Sequence, residues 1–78
     1  MIQTDSFGNK VLTIIRYGEP ETVYLHVDEN EERYMLSFSR YHPSNKRLCA
    51  WCYYKDEYKT LDDAVCEYVK ELNEYFKA

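Results

Sequence analysis

The sequence predicts an α+β fold: a four-stranded antiparallel β-meander with one C-terminal amphipathic helix packed on one face, in the order β-β-β-β-α. Two patterns predict it. Apolar and polar residues alternate in successive segments of the first two thirds of the chain, which is typical of half-buried strands. Apolar residues then recur at helical spacing in the last third. Because 78 residues leave no room for a second core, we expect a single small domain spanning residues 1–78.

Three strands are predicted in the first half of the chain. Residues 10–17 are rich in β-branched side chains and end at a turn predicted at residues 18–20. Residues 22–27 and 33–40 each alternate apolar and polar side chains. The acidic stretch 28–32 between them is expected to form a hairpin loop, which makes these strands consecutive in an antiparallel sheet.

A fourth strand is predicted at residues 48–55. It follows a loop at residues 41–47, where Pro43, Ser44 and Asn45 are typical turn residues. The pattern of residues 1–9 is weaker. Residues 2–4 are compatible with a further short strand before a turn at residues 7–9, an alternative that the sequence leaves open.

The helix is expected to begin at Leu61 and to run for about 16 residues, since apolar side chains from Leu61 to Phe76 form one continuous stripe. Thr60 precedes it and Asp63 follows three residues later, which is close to a capping box. Asp62 and Asp63 also place negative charge at the positive end of the helix dipole. The stripe needs an apolar surface to cover, and the sheet offers one.

Val23 and Leu25 alternate with Tyr24 and His26, so the two pairs must face opposite sides of the sheet. We expect the helix to cover the side with Val23 and Leu25. The predicted core comprises Val23, Leu25, Val27, Leu36, Phe38 and Leu72.

The sheet face opposite the helix needs a cover or a partner. On the fourth strand, either the set with Trp51 and Tyr53 or the set with Cys52 and Tyr54 points away from the helix. The first set is bulkier, and exposed Trp and Tyr are typical binding residues. Three alternatives stay open: loops or the N-terminal segment cover this face, the helix packs on it instead, or two copies associate through it.

The net charge of −4 excludes the strongly basic surface of a general nucleic-acid binder. The charged residues are distributed unevenly along the chain. Residues 1–32 carry seven acidic and two basic side chains, residues 33–59 carry two and six, and residues 60–78 carry five and two. The three segments therefore have net charges of −5, +4 and −3.

The acidic residues lead to our main functional hypothesis, a non-enzymatic protein-binding module. Carboxylates on a helix and in neighbouring loops can imitate a phosphate backbone and cover a basic surface of a nucleic-acid-handling partner. Small acidic inhibitors, including many encoded by phages, have a similar size and charge. The acidic residues expected to contact the partner are Glu29, Glu31, Glu32, Asp62, Asp63, Glu67 and Glu71, with Tyr24, Trp51 and Tyr53 as exposed anchors.

Two alternative functions compete with it. The basic middle segment interleaves cations with aromatic rings, a combination that single-stranded nucleic acid binders use. The residues of that alternative are Arg40, Lys46, Arg47 and Lys55, assisted by Trp51 and Tyr53. The acidic flanks would repel phosphates, which disfavours nucleic acid as a partner. The other alternative is a structural homodimer through the exposed sheet face.

The sequence contains no catalytic motif, so we expect no enzyme, no cofactor and no metal. Cys49 and Cys52 form a C-x-x-C, but a strand directs them to opposite faces, which disfavours zinc. Neither His26 nor His42 lies in a nucleophile motif. An odd number of cysteines, three, disfavours a disulfide framework. With no visible signal peptide and no apolar run near the roughly 20 residues of a membrane span, we expect a cytoplasmic protein that does not enter membranes.

Overall fold

The structure, a computed structural model, describes residues 2–77. An antiparallel sheet with strands in sequential order carries one C-terminal helix, which confirms the α+β class. The elements are β1 (Gln3–Thr4), β2 (Lys10–Arg16), β3 (Glu19–Glu29), β4 (Arg33–Ser39), β5 (Leu48–Tyr54) and α1 (Leu61–Tyr75). The sheet has five strands rather than the predicted four, because Gln3–Thr4 pairs with the start of β2.

β3 is longer than predicted because two partners share it. Its first half pairs with β2 and its second half pairs with β4, so that Tyr24 lies opposite both Val11 and Ser39. Backbone pairing extends into the polar residues at both ends of β3, where no apolar alternation marks a strand. The sheet is consequently staggered, with β2 and β4 displaced toward opposite ends of β3.

The turn between β2 and β3 differs from the prediction. It consists of Tyr17 and Gly18, whose φ angles of 52° and 81° fit a two-residue type I′ hairpin turn. Pro20, predicted in the turn, pairs with Ile15 inside β3. This pair lies next to the hydrogen-bonded pair that closes the hairpin, so the ladder requires no N–H from Pro20.

α1 packs on the sheet face that carries Leu36 and Phe38, and its Tyr68 and Leu72 are fully buried there. Thr60 caps the helix as predicted, since its Oγ1 accepts from the Asp63 amide at 3.1 Å. Five of the six predicted core residues are buried: Val23, Leu25, Leu36, Phe38 and Leu72. Val27 is half-buried at the margin of the core. No helix within residues 2–77 is long and apolar enough to cross a membrane.

The register of β5 places Trp51 and Tyr53 against the helix. They pair with Leu36 and Tyr34, whose side chains face α1, and must share that face. The Trp51 ring lies 5.6 Å from the Tyr68 ring, and Tyr53 is 3% exposed. The prediction that Trp51 and Tyr53 are exposed anchors is therefore wrong, and the other set, with Cys52 and Tyr54, faces away from α1.

Both edges of the sheet are protected. β2 forms an edge of the sheet beyond the two residues that pair with β1. There the Ile15 amide donates to Asn73 Oδ1 at 2.8 Å, and the Tyr17 amide donates to the Phe76 carbonyl at 3.2 Å. At the β5 edge a bulge places Cys49 at a φ of 46°, and the Tyr68 hydroxyl donates to the Cys49 carbonyl at 2.7 Å. Covering one edge and kinking the other disfavours edge-to-edge aggregation.

Candidate interaction surface at the acidic end

The meander brings a different set of loops to each end of the molecule. Because neighbouring strands are antiparallel, β4 starts at the end where β3 and β5 stop. α1 follows β5 after a short turn and starts at this end too. We call it the acidic end and define it as residues 28–33 and 55–63. The opposite, basic end comprises residues 16–21, 40–47 and 74–77.

Charge is divided unequally between the two ends. The acidic end carries eight acidic and three basic side chains, a net charge of −5, whereas the basic end carries three and five, a net charge of +2. Part of this separation of charge is not apparent from the linear sequence. Asp56 and Glu57 lie in a segment of positive net charge, and they join the other acids because β5 ends beside the β3–β4 hairpin.

Direct contacts tie the β5–α1 turn to that hairpin. The Lys55 amide donates to the Glu32 carbonyl at 2.9 Å, and the Lys55 ammonium pairs with the Glu29 carboxylate at 2.6 Å. A shallow depression of about 460 Å³ opens between the two segments, lined by Glu31, Glu32, Tyr54, Lys55 and Asp56. The carboxylates of the two segments therefore share one surface.

The β3–β4 hairpin holds its acidic tip in a defined conformation. The Asn30 side-chain oxygen accepts from the amides of Glu32 at 2.8 Å and Arg33 at 3.0 Å. The Asn30 amide in turn donates to the Arg33 carbonyl at 3.0 Å. With its backbone fixed in this way, the hairpin presents the exposed Glu31 and Glu32 to solvent.

Five of the seven acidic residues proposed from the sequence lie at the acidic end. They are Glu29, Glu31, Glu32, Asp62 and Asp63. Glu67 lies in the second turn of α1, and Glu71 lies one turn further along. Glu71 accepts from the Tyr53 hydroxyl at 3.1 Å, and burial together with this carboxylate raises the pKa of the Tyr53 phenol. The Glu71 carboxylate therefore takes part in a hydrogen bond within the fold, to the buried Tyr53.

The basic end is partly neutralised by Glu21. Its carboxylate accepts from Arg16 Nε at 2.7 Å and from Arg40 Nε at 2.8 Å. These two guanidinium groups, Arg40 foremost, lower the pKa of the Glu21 carboxyl. The cluster therefore neutralises two of the cations at this end.

The four cations of the nucleic-acid alternative do not form one surface. Arg40 is bound to Glu21, and Lys46 and Arg47 are exposed in the loop before β5. Lys55 lies beyond the other end of β5, in its ion pair with Glu29. Because β5 has seven residues, roughly 20 Å separates the two groups along the strand.

A loop covers part of the sheet face opposite α1. Ser39 is 0% exposed although its side chain points away from the helix. Its hydroxyl donates to the Asn45 carbonyl at 3.1 Å and lies 2.7 Å from His26 Nε2. Of the three arrangements that the sequence left open, cover by a loop is the one found at this part of the face. Tyr24, which pairs with Ser39, is half-buried.

The His26–Ser39 pair is structural. Catalytic serines need an accessible hydroxyl whose proton the histidine can take. Here Ser39 is enclosed and uses its single proton on the Asn45 carbonyl, so His26 Nε2 is the donor to Ser39 Oγ. Burial, with a smaller contribution from the Arg47 charge, lowers the pKa of the His26 imidazole.

The three cysteines are thiols at separate places. Cys49 packs against the core, Cys52 pairs with Met35 on the opposite face, and Cys66 is exposed on α1. Within the described part of the chain, no group of three or more Cys, His, Asp and Glu side chains is arranged to hold a metal ion.

Comparison with known protein families, with curated proteins and with solved structures finds no match.

Proposed function

We propose that this protein is a non-enzymatic binding module whose acidic end covers a basic surface of a nucleic-acid-handling protein, as a small inhibitor of the nucleic-acid-mimicking type. One observation carries the proposal: the fold gathers carboxylates from distant parts of the sequence into one end with a net charge of −5. The rest of the molecule is close to neutral by comparison. A charge separation of this kind orients the protein toward a basic partner before contact.

The arrangement of the carboxylates supports a rigid binding surface. The hairpin with Glu31 and Glu32 is fixed by Asn30, and the start of α1 is fixed by its Thr60 cap. Rigid elements lose little conformational freedom on binding. A partner's Lys and Arg side chains, which normally meet phosphates, would meet these carboxylates instead. The three thiols suit a reducing cytoplasm, where we propose that the partner is met.

Charge reversal at the two ends tests the proposal. The partner is captured from native cells and purified, and its Kd is measured for the wild-type protein and two double variants. Glu31→Lys/Glu32→Lys reverses two exposed acids of the acidic end, and Glu19→Lys/Glu74→Lys reverses two exposed acids of the basic end. Both variants change the net charge equally, so they differ only in the location of the change.

We expect at least a tenfold weaker Kd for the acidic-end variant and less than a threefold change for the control, because a mimic binds through local charge complementarity. The loss should shrink as salt is added. Equal effects of the two variants, or no effect of either, would contradict the proposal. Salt-sensitive binding of a single-stranded oligonucleotide that Lys46→Glu/Arg47→Glu abolishes would replace it with the nucleic-acid alternative.

The homodimer alternative has its own measurement. Light scattering at increasing protein concentration gives the mass of the free protein. A dimer mass that persists in the acidic-end variant, combined with no partner binding, would favour association through the sheet face.

A further inference from the structure

The sheet has one face packed against α1 and one face turned away from it, which we call the open face. The open face carries every other side chain of the strands, among them Tyr24, Met35, Ser39, Cys52 and Tyr54. Near the basic end the loop at residues 41–47 covers it, and Ser39 is 0% exposed there. Toward the acidic end Met35 and Cys52 are half-buried and Tyr54 is 50% exposed. The open face therefore has a covered half and an uncovered half.

The strands place few charges on the open face. Among the described strand residues, only Asp28 and Arg33 have a formal charge there, although 31% of all residues in the chain are charged. Tyr54 has no aromatic or cation–π contact within the described part of the chain. Depletion of charge, with Tyr and Met present, is typical of the centre of protein–protein interfaces. The composition of the open face therefore favours contact with another protein surface.

Charges of opposite sign lie on the two halves of the open face. Asp28 is exposed on the uncovered half, where it pairs with Met35. Arg47 is exposed in the loop that covers Ser39, four residues further along β4. Burial and then the Arg47 charge lower the pKa of the His26 imidazole, which places Arg47 on the side of the sheet where His26 lies. Asp28 and Arg47 are therefore separated by the middle of β4.

We propose that two copies of this chain associate through the open face, with their strands antiparallel. A two-fold axis that crosses the middle of β4 at right angles to the strands places the loop at residues 41–47 of each copy against the uncovered half of the other. The same rotation brings Arg47 of each copy to Asp28 of the other. The open face is thus self-complementary in shape and in charge, as a two-fold interface between identical surfaces requires.

Charge decides between the two ways in which a pair of open faces can meet. A two-fold axis parallel to the strands would place the two acidic ends, each with a net charge of −5, against each other. The axis at right angles to the strands places each acidic end over a basic end with a net charge of +2. Because contact between like charges is unfavourable, the second arrangement is favoured.

The open face is large enough for a stable dimer. The molecule measures 33 Å by 31 Å and is 21 Å thick, and its two layers, the sheet and the helix, account for the thickness. Its broad faces therefore exceed the roughly 800 Å² that each partner buries in a standard interface. Asp62 and Asp63 lie with α1 on the other side of the sheet. Association through the open face is consequently independent of the proposed function and leaves the start of α1 free.

Exchange of the two charges tests the association. The dimer Kd is measured by sedimentation equilibrium, at protein concentrations up to the millimolar range, for wild type, Asp28→Arg, Arg47→Asp and the variant that carries both changes. Each single change places like charges together in both contacts of the dimer, whereas the double variant restores opposite charges in both. Lys70→Asp and Glu74→Arg are the controls, because both residues are exposed on α1 and undergo the same changes of charge. Thermal denaturation checks that every variant is folded.

We expect a dimer in the wild type, at least a tenfold weaker Kd for each single variant, and a Kd within threefold of wild type for the double variant. The controls should change the Kd by less than threefold. Tyr54→Ala should weaken it at least tenfold, because the ring lies on the uncovered half. A monomer mass at all concentrations, no weakening in the single variants or in Tyr54→Ala, or a double variant no tighter than the single ones would overturn the inference. Each of these results leaves the proposed function standing, since that is tested with Glu31→Lys/Glu32→Lys.

Discussion

At the scale of single residues, His26 and Ser39 show how one polar pair holds a long loop against the sheet. Ser39 Oγ accepts from His26 Nε2 and donates to the Asn45 carbonyl, so the three groups form a chain from β3 through β4 into the loop. Each donor in the chain has an acceptor. Burying the pair is therefore compatible with stability, because a buried hydroxyl without partners would be costly.

Removing the Ser39 hydroxyl should destabilise the fold. Ser39→Ala leaves His26 Nε2 and the Asn45 carbonyl without their partner under the loop, and we expect a loss of about 1–3 kcal/mol in the free energy of unfolding. Urea denaturation measures it. Ser44→Ala is the control, because Ser44 is exposed in the same loop and should change stability by less than about 0.5 kcal/mol. Equal values for the two variants would show that the loop is not held in this way.

The lowered pKa of His26 predicts a pH dependence of stability. Its pKa in the folded protein lies below the reference value of 6.5, so the unfolded chain binds the proton at higher pH. Stability is therefore highest above about pH 6.5 and falls as the pH drops below it. Denaturation curves between pH 8 and pH 5.5 should show this decrease in the wild type.

His26→Gln is the matched control for the pH dependence. Glutamine keeps an N–H that reaches Ser39 Oγ but does not titrate. We expect the free energy of unfolding of His26→Gln to be nearly constant over the same pH range. A slope as steep as that of the wild type would assign the pH dependence to other groups.

At the scale of elements, the start of α1 is where sequence and structure agree best. A Thr cap followed by acids and an apolar stripe is a local pattern, and local patterns determine where helices begin. The strand ends agree less well. Pairing with a neighbour, rather than apolar alternation, extends β3 to Glu19 and Glu29.

The Thr60 cap gives a prediction at this scale. Thr60→Ala removes the acceptor of the Asp63 amide, and we expect a loss of about 1 kcal/mol in the free energy of unfolding. Thr60→Ser keeps the hydroxyl and should remain within a few tenths of a kcal/mol of the wild type. Thermal or urea denaturation of the three proteins measures the difference. A Thr60→Ser loss equal to that of Thr60→Ala would point to the methyl group rather than the cap.

At the scale of the whole molecule, the separation of charge has a cost in stability. Eight carboxylates lie at the acidic end and repel one another, and the exposed Glu31 has no ion-pair partner among the described residues. A protein selected for stability alone would place opposite charges together. Surfaces kept for binding often carry such unfavourable groups.

Glu31→Lys should therefore separate stability from function. We expect an unchanged or slightly higher free energy of unfolding, by up to about 0.5 kcal/mol, because a cation enters an acidic surface. We expect weaker partner binding from the same change. Glu31→Gln, which removes the charge without reversing it, should give intermediate values in both measurements. Loss of stability in Glu31→Lys would contradict the view that this carboxylate is kept for binding.

The candidate site was only partly predictable from the sequence. The acids Glu31, Glu32 and Asp62 could be identified because they cluster along the chain. Trp51 was assigned to the wrong face, since alternation gives two possible orientations and bulk does not choose between them.

The sequence by itself determined the α+β class, the start of α1 and the sides of β3 and β4 that enter the core, since these follow from local periodicity and capping. The tertiary structure decided which side of β5 meets α1, how the loop before β5 covers Ser39, and which loops share an end. Those features depend on strand register and on contacts between residues far apart in the chain. The net charge of −5 at one end is a consequence of the fold, because antiparallel pairing places β3–β4 and β5–α1 connections side by side.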